Sequence, residues 1–259
     1  MLPHAWSRET LALHLYEIAV TNAADLARFA QALAPKARTL REDFAGSGAL
    51  ARAWANRSTR HQSFAVEKNR EVAQYVGEHP RITTLVTDAT RCTQQADILA
   101  ATNFPLGYFH ERSALIKYLR HARKSLKPKG VFFADMYGGD GAWTPQVQKR
   151  VLRSPIVGRF TYEWEQARAN ASTGLVTNHI HFHVGSRAGI RLERAFTYTW
   201  RLWGLAELRE AFMEAGFRSV DVYDQLADAI DDEGNAYVSP VDADGSLDAT
   251  WVVYIVGRR

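Results

Sequence analysis

The stretch Thr39-Leu40-Arg41-Glu42-Asp43-Phe44-Ala45-Gly46-Ser47-Gly48-Ala49-Leu50-Ala51 constrains the fold more than any other part of the chain. An apolar run reaches an acidic pair, turns on two glycines and passes directly into a helix-forming run. Glycine lets the backbone turn sharply and approach a ligand closely, and the first turn of the following helix leaves N–H groups unpaired. This is the construction of a nucleotide-type cofactor loop. A second signal supports it: Glu67 closes the next apolar run, Ser63-Phe64-Ala65-Val66-Glu67, about 20 residues further on, where adenosine-binding folds place an acid against ribose hydroxyls.

Gly46-x-Gly48-x-x-Ala51 formally satisfies the dinucleotide fingerprint, so NAD is one reading. The upstream acids argue against it, because Glu42 and Asp43 would repel a pyrophosphate and offer it no donor. A cationic ligand suits them better. S-adenosylmethionine carries an ammonium and a sulfonium and no phosphate.

These residues resemble the class I S-adenosylmethionine-dependent methyltransferases, whose first motif is an acid followed after a few residues by Gly-x-Gly. The resemblance implies that Glu42 and Asp43 hold the cofactor's amino group, with Gly46 and Gly48 beneath it and Glu67 on the ribose. Phe44 stands where the family often has a further glycine and is expected to pack on the cofactor. Asp88, after Ile82-Thr83-Thr84-Leu85-Val86-Thr87, matches the acid that the family places near the adenine amino group, with Ala89 beside it. Lys68, Asn103 and Phe104 complete the expected cofactor set. Leu126-Lys127-Pro128-Lys129-Gly130 before Val131 looks like the family's turn into its fifth strand. His110-Glu111-Arg112-Ser113, Asp135-Met136-Tyr137-Gly138-Gly139 and Trp200-Arg201-Leu202-Trp203 narrow the resemblance to a poorly characterised subfamily of bacteria and plants.

Periodicity gives an α/β organisation. Helical spacing over residues 9–34, broken near Thr21-Asn22, predicts an N-terminal helical cap, residues 1–36. Strands are expected at 39–44, 63–67, 82–87 and 131–136, with helices at 49–56, 69–77 and 113–126, which implies a parallel sheet with helices on both faces. Its carboxyl edge would carry Glu42, Glu67, Asp88, Asn103 and Asp135. With the helix at 205–215, a strand at 219–223, a polar loop through Gly245 and a final strand at 250–256, residues 37–139 and 205–259 form a Rossmann-like core. After Gly138, three β-rich runs at 160–166, 175–184 and 191–200 predict a three-stranded antiparallel insertion within residues 140–204.

Composition sets the outer limits. At 259 residues and 46% hydrophobic content, one domain with an appendage is the natural size. The net charge of +4 is spread among acids, which disfavours nucleic-acid binding. The single cysteine, Cys92, excludes an internal disulfide and a cysteine-rich zinc site and suits a reducing cytoplasm. No apolar run reaches the length of a membrane span.

Methyl transfer is an in-line displacement, so orientation is the protein's main task, and a base is needed only where the acceptor must lose a proton. His110 is the first candidate base; the alternative is that His110-Glu111 begins a helix. Arg112 either anchors an acidic acceptor or braces its own loop. Tyr137, just after the fifth strand, is a further candidate for the cleft. Tyr16 and Glu17 could form a lid. His179, His181 and His183 alternate along one strand face and are read as a polar sheet face, with no metal expected. The leading expectation is N- or O-methylation of a small molecule, with a homodimer through the insertion. The alternatives are an RNA or protein methyltransferase, a non-catalytic cofactor-binding module and an NAD-dependent oxidoreductase.

Overall fold

In the computed structural model, residues 6–185, 189–224, 240–241 and 247–259 are described. Most of the expected polar loop through Gly245 therefore lies outside the described residues. The chain begins with α1, Arg8–Val20, and α2, Ala23–Leu33, which are separated at Thr21 and Asn22 where the pattern breaks. Ser7 caps α1 by accepting the N–H of Thr10.

Five parallel strands follow: β1 (Thr39–Asp43), β2 (Gln62–Glu67), β3 (Ile82–Val86), β4 (Ala96–Ala101) and β5 (Leu126–Gly138). They are connected through α3 (Ala49–Arg57), α4 (Arg70–Ala73) and α5 (Arg112–Ser125). After α6 (Leu205–Glu214), β10 (Ser219–Asp224) and β11 (Trp251–Arg258) complete the sheet, β11 running antiparallel to both β5 and β10. The strand order is β10-β11-β5-β4-β1-β2-β3. The order reverses at β1, which pairs with both β2 and β4, and this opens a crevice at the carboxyl ends of the strands.

The second sheet has four antiparallel strands, not three: β6 (Gln146–Ser154), β7 (Gly158–Asn170), β8 (Leu175–Val184) and β9 (Ile190–Arg201). The expectation missed β6 because it is a polar edge strand, Gln-Val-Gln-Lys-Arg-Val-Leu-Arg-Ser, whose Val147 and Val151 point outward and leave no apolar run to detect. Two other boundaries moved. The helix expected at 69–77 is one turn, α4, continued by a 3-10 turn at Gln74–Val76, and β5 begins five residues early through an irregular pairing near Ala96.

The two N-terminal helices pack on different partners. Phe29 of α2 sits edge-on to Phe133 and Tyr223, behind the main sheet. Leu11 and Leu15 of α1 instead cover Phe160, Ile180 and Phe182 on the inner face of the small sheet. The opposite face of β8 carries His179, His181 and His183. His181 lies between Glu193 at 2.7 Å and Glu165 at 3.1 Å, and His179 contacts Thr197 at 2.9 Å. No group of three or more His, Cys, Asp or Glu among the described residues is arranged to hold a metal. Likewise, no described helix is long and apolar enough to cross a membrane.

Candidate cofactor and acceptor cleft

The loop after β1 owes its shape to left-handed backbone at Phe44, Gly46 and Gly48, with φ of 57°, 53° and 71°. Gly48 cannot carry a side chain without pressing on Val76, since a Cβ there would lie 2.9 Å from a Val76 methyl. The loop is tied to its neighbour strand by Ala45 N–H donating to the Val66 carbonyl at 2.9 Å. Glu67 completes the frame. One of its oxygens accepts from Gly46 N–H at 3.0 Å and the other from Asn69 N–H at 2.9 Å.

Because α3 starts on Gly48, no side chain caps it from within. Glu42 does so from the strand, accepting the N–H of Ala51 at 2.8 Å. The carboxyl is buried, and burial pushes its pKa up to about 8 against the opposing pull of the Ala51 hydrogen bond and of Arg52. Asp88, by contrast, is held below the usual carboxylate range by hydrogen bonds from the Thr90 hydroxyl and backbone N–H.

These groups line a cleft of about 640 Å³. It is lined by Glu42, Gly46, Glu67, Lys68, Asp88 and Ala89, by the rings of Tyr16, Phe44, Tyr108, Phe109, Phe196 and Tyr198, and by Asn103. The structure thus brings most of the expected cofactor set together.

Asp43, Gly48 and Phe104 are outside the lining, and for Asp43 strand geometry explains it. Consecutive strand residues face opposite sides, so Glu42 and Asp43 cannot both meet one ligand. Asp43 is buried on the far side, paired with Arg41 at 2.8 Å and accepting the Tyr118 hydroxyl at 2.9 Å. Tyr118 in turn stacks on Phe109 and meets Phe44 edge-on, so Asp43 braces the aromatic wall from behind. Phe104 is also displaced. Its ring packs on Tyr137 and Trp200, while its N–H and that of Asn103 are held by the Asp135 carboxylate at 2.7 and 2.9 Å. Asn103 and Phe104 both adopt left-handed backbone, with φ of 68° and 63°. Burial raises Asp135 to about 6, and those two N–H groups oppose the rise.

The three residues expected to catalyse do not line the cleft. His110 is exposed, its Nε2 donating to the Thr199 carbonyl at 2.9 Å. Arg112 bridges α5 to α6 through Glu214 at 2.7 Å. Tyr137 is buried in a chain of hydrogen bonds, accepting from Asn178 at 3.0 Å and donating to Gln166 at 3.2 Å, and burial pushes it up to about 12. Tyr108 and Phe109 went unrecognised because they lie beside the conspicuous His110-Glu111-Arg112 run. The aromatic content of 191–200 was a usable signal for Phe196 and Tyr198. Burial pushes both Tyr16 and Tyr198 above the usual phenol range, so both hydroxyls stay protonated at neutral pH.

Neither a protein-family model nor a curated protein sequence matches the chain. Solved structures do. The chain superposes on CalS10, an amino pentose methyltransferase from Micromonospora echinaspora determined with S-adenosylmethionine bound, over 100% of both chains, with TM-score 0.68 and 15% identity. DesVI from Streptomyces venezuelae matches with TM-score 0.68 and 16% identity over 99% of this chain and 98% of that one. An S-adenosylmethionine-dependent methyltransferase from Clostridium acetobutylicum gives 0.68 and 14% over 95% and 96%. This is the fold of the S-adenosylmethionine-dependent methyltransferases. The shared methyltransferase fold extends over the small sheet and the N-terminal helices as well as the main sheet, because the superpositions span nearly the whole chain.

Proposed function

We propose that this protein transfers the methyl group of S-adenosylmethionine to a nitrogen or oxygen of a small molecule. The observation that carries the reading is the make-up of the cleft: a glycine cradle flanked by carboxyls shares one cavity with a cluster of aromatic rings. Its acidic and basic side chains among the described residues are Glu42, Glu67, Asp88 and Lys68; with Glu42 ionised opposite a bound ammonium, the set suits a cation and opposes the pyrophosphate of NAD.

The residues present fit S-adenosylmethionine. A Cβ at Gly46 would meet nothing within 4 Å, so the backbone there is open to close approach. Glu42 would take the ammonium, Glu67 the ribose hydroxyls through lone pairs left by its two backbone bonds, and Asp88 the adenine amino group, as the family resemblance implies. When bound, S-adenosylmethionine supplies an electrophilic methyl on a sulfonium. The chain's own contribution is orientation and exclusion of water by Tyr16, Tyr108, Phe109 and Tyr198. Ring faces of this kind attract a protonated amine and offer an anionic acceptor no counter-charge. With no histidine among the described residues that line the cleft, an amine that loses its proton before transfer is the acceptor best matched to it.

Calorimetric titration with S-adenosylmethionine, S-adenosylhomocysteine and NAD tests the cofactor. Binding of the first two and not the third is expected; binding of NAD alone would refute the reading. Mass spectrometry of small amines and phenols incubated with the protein and S-adenosylmethionine then tests for transfer. The small sheet, as a cover for the acceptor, leaves the edge of β6 open for a homodimer, which sedimentation would detect. The single buried cysteine suits a cytoplasmic setting.

A further inference from the structure

At the opposite end of the main sheet, the structure assigns a second ligand site: we infer that an open pocket at the amino ends of β1 and β2 binds a small phosphorylated anion, a phosphomonoester or diphosphate. The pocket, about 540 Å³, is lined by Lys36, Arg38, Arg57, Arg60 and His61, and among the described residues no carboxylate lines it. Some other arginines are matched by a carboxylate: Arg52 by Glu17, Arg112 by Glu214, Arg258 by Asp221. Among the described residues, the side chains of Lys36, Arg38, Arg57 and Arg60 pair with none. Asp97 approaches Arg38 only through the backbone and is occupied by the N–H groups of Arg38 and Thr39 and by Lys127.

Helix dipoles account for part of this. α3 ends at Arg57 and α2 ends at Leu33, and a carbonyl terminus favours one nearby cation. Four like charges converging on one pocket exceed what two helix ends neutralise, and a multiply charged ligand removes their repulsion. The floor is preorganised. The His61 ring stacks on Trp54 at 4.2 Å with 6° between planes, and its Nδ1 donates to the Trp54 carbonyl at 3.1 Å, so Nε2 of the neutral ring is an acceptor, suited only to the remaining proton of a phosphomonoester. Ser58 Oγ accepts the Arg60 N–H at 3.2 Å, so its own proton is free to donate. Arginine forks match the several oxygens of a phosphate bidentately, which favours phosphate over a single carboxylate. The five residues of β1 separate this pocket from the glycine loop by about 17 Å, so the inference is independent of the methyl-transfer reading.

The test is calorimetric titration of the full chain with inorganic pyrophosphate and inorganic phosphate, beside the Arg57→Ala/Arg60→Ala double variant; both residues are exposed. Pyrophosphate is expected to bind more tightly than phosphate, with affinity falling as salt rises, and the double variant is expected to lose at least about tenfold. S-adenosylmethionine titration of the same variant reports folding and should match the parent. Absence of pyrophosphate binding, or binding unmoved by the double substitution, would overturn the proposal. So would binding of a short single-stranded RNA in the absence of pyrophosphate binding, which would identify the patch as a nucleic-acid surface.

Discussion

Glu42 and Ala51 are joined by a hydrogen bond of 2.8 Å from the Ala51 N–H to the Glu42 carboxylate, so the strand that precedes the glycine loop caps the helix that follows it. The bond ties the two walls of the loop together and holds a carboxyl in the lining of the cleft. Burial raises that carboxyl to about 8, from an ordinary value of 4.5. A raised folded-state pKa means that the native protein binds the extra proton between those values. The associated stability is fully present below the unfolded value and is lost as pH rises through about 8. Glu42→Gln keeps an acceptor for Ala51 and removes the titration. Its melting temperature is therefore expected to fall less between pH 5 and pH 8 than that of the parent. A bound ammonium favours the ionised carboxyl, so calorimetry at pH 7 in two buffers should show proton release on S-adenosylmethionine binding in the parent, reduced in the variant.

Glu67 has a structural role as well as a proposed ligand role, since its two oxygens hold the N–H groups of Gly46 and Asn69. Removing it leaves the part-buried Gly46 N–H without its partner, at a cost of about 1–3 kcal/mol, while the exposed Asn69 N–H turns to water. Glu67→Ala is expected to lower the melting temperature and to weaken S-adenosylmethionine binding by at least about tenfold. Glu67→Gln, retaining one acceptor oxygen, should fall between. Parent-like affinity in the alanine variant would remove Glu67 from the cofactor site.

Asp135 acts at a distance from the cleft through the loop it holds. Asn103 and Phe104 are non-glycine residues in left-handed backbone, a conformation that persists only where the surroundings enforce it. The carboxylate enforces it by accepting both N–H groups. Asp135→Ala is expected to cost about 1–3 kcal/mol and to lower kcat more than cofactor affinity, because this loop lines the cleft through Asn103 and Pro105 and leads into Tyr108 and Phe109. Equal losses in both would place its effect on the whole fold.

The parallel sheet, the glycine loop and the carboxyl-edge acids were legible in the sequence because each depends on local chemistry: apolar runs of strand length, glycines where φ is positive, acids at strand ends. What was not legible depends on direction. Reading Glu42 and Asp43 as one acidic pair overlooked strand alternation, which sends Asp43 to Arg41 and Tyr118. Sequence proximity to β4 also placed His110 and Arg112 on the acceptor side, whereas the 3-10 turn at Pro105–Tyr108 carries the chain out to the surface and leaves Tyr108 and Phe109 facing the cleft. Strand β6 escaped because an exposed edge strand has no core-facing pattern to read.

His110 offers a direct check on that correction. Its Nε2 serves the Thr199 carbonyl, and its own carbonyl accepts from Arg201, so both groups dock the loop on β9. His110→Ala is expected to keep turnover within about threefold of the parent, the loss of one exposed hydrogen bond, and to leave the pH–rate profile unchanged in shape. Disappearance of a titrating limb in the variant would restore His110 to the chemistry.

Gly46 and Gly48 separate the fold's demand for glycine from the ligand's. Both adopt left-handed backbone, so alanine at either carries a conformational cost of about 1–2 kcal/mol. At Gly48 a Cβ would also lie 2.9 Å from a Val76 methyl, and Gly48→Ala should therefore destabilise beyond that cost, visible as a lower denaturation midpoint. At Gly46 a Cβ meets no protein atom within 4 Å. If the backbone there lies against the cofactor, Gly46→Ala will show the smaller stability loss and the larger loss of S-adenosylmethionine affinity, at least about tenfold. A Gly46→Ala protein that binds S-adenosylmethionine as the parent does would mean that the cofactor does not approach this loop.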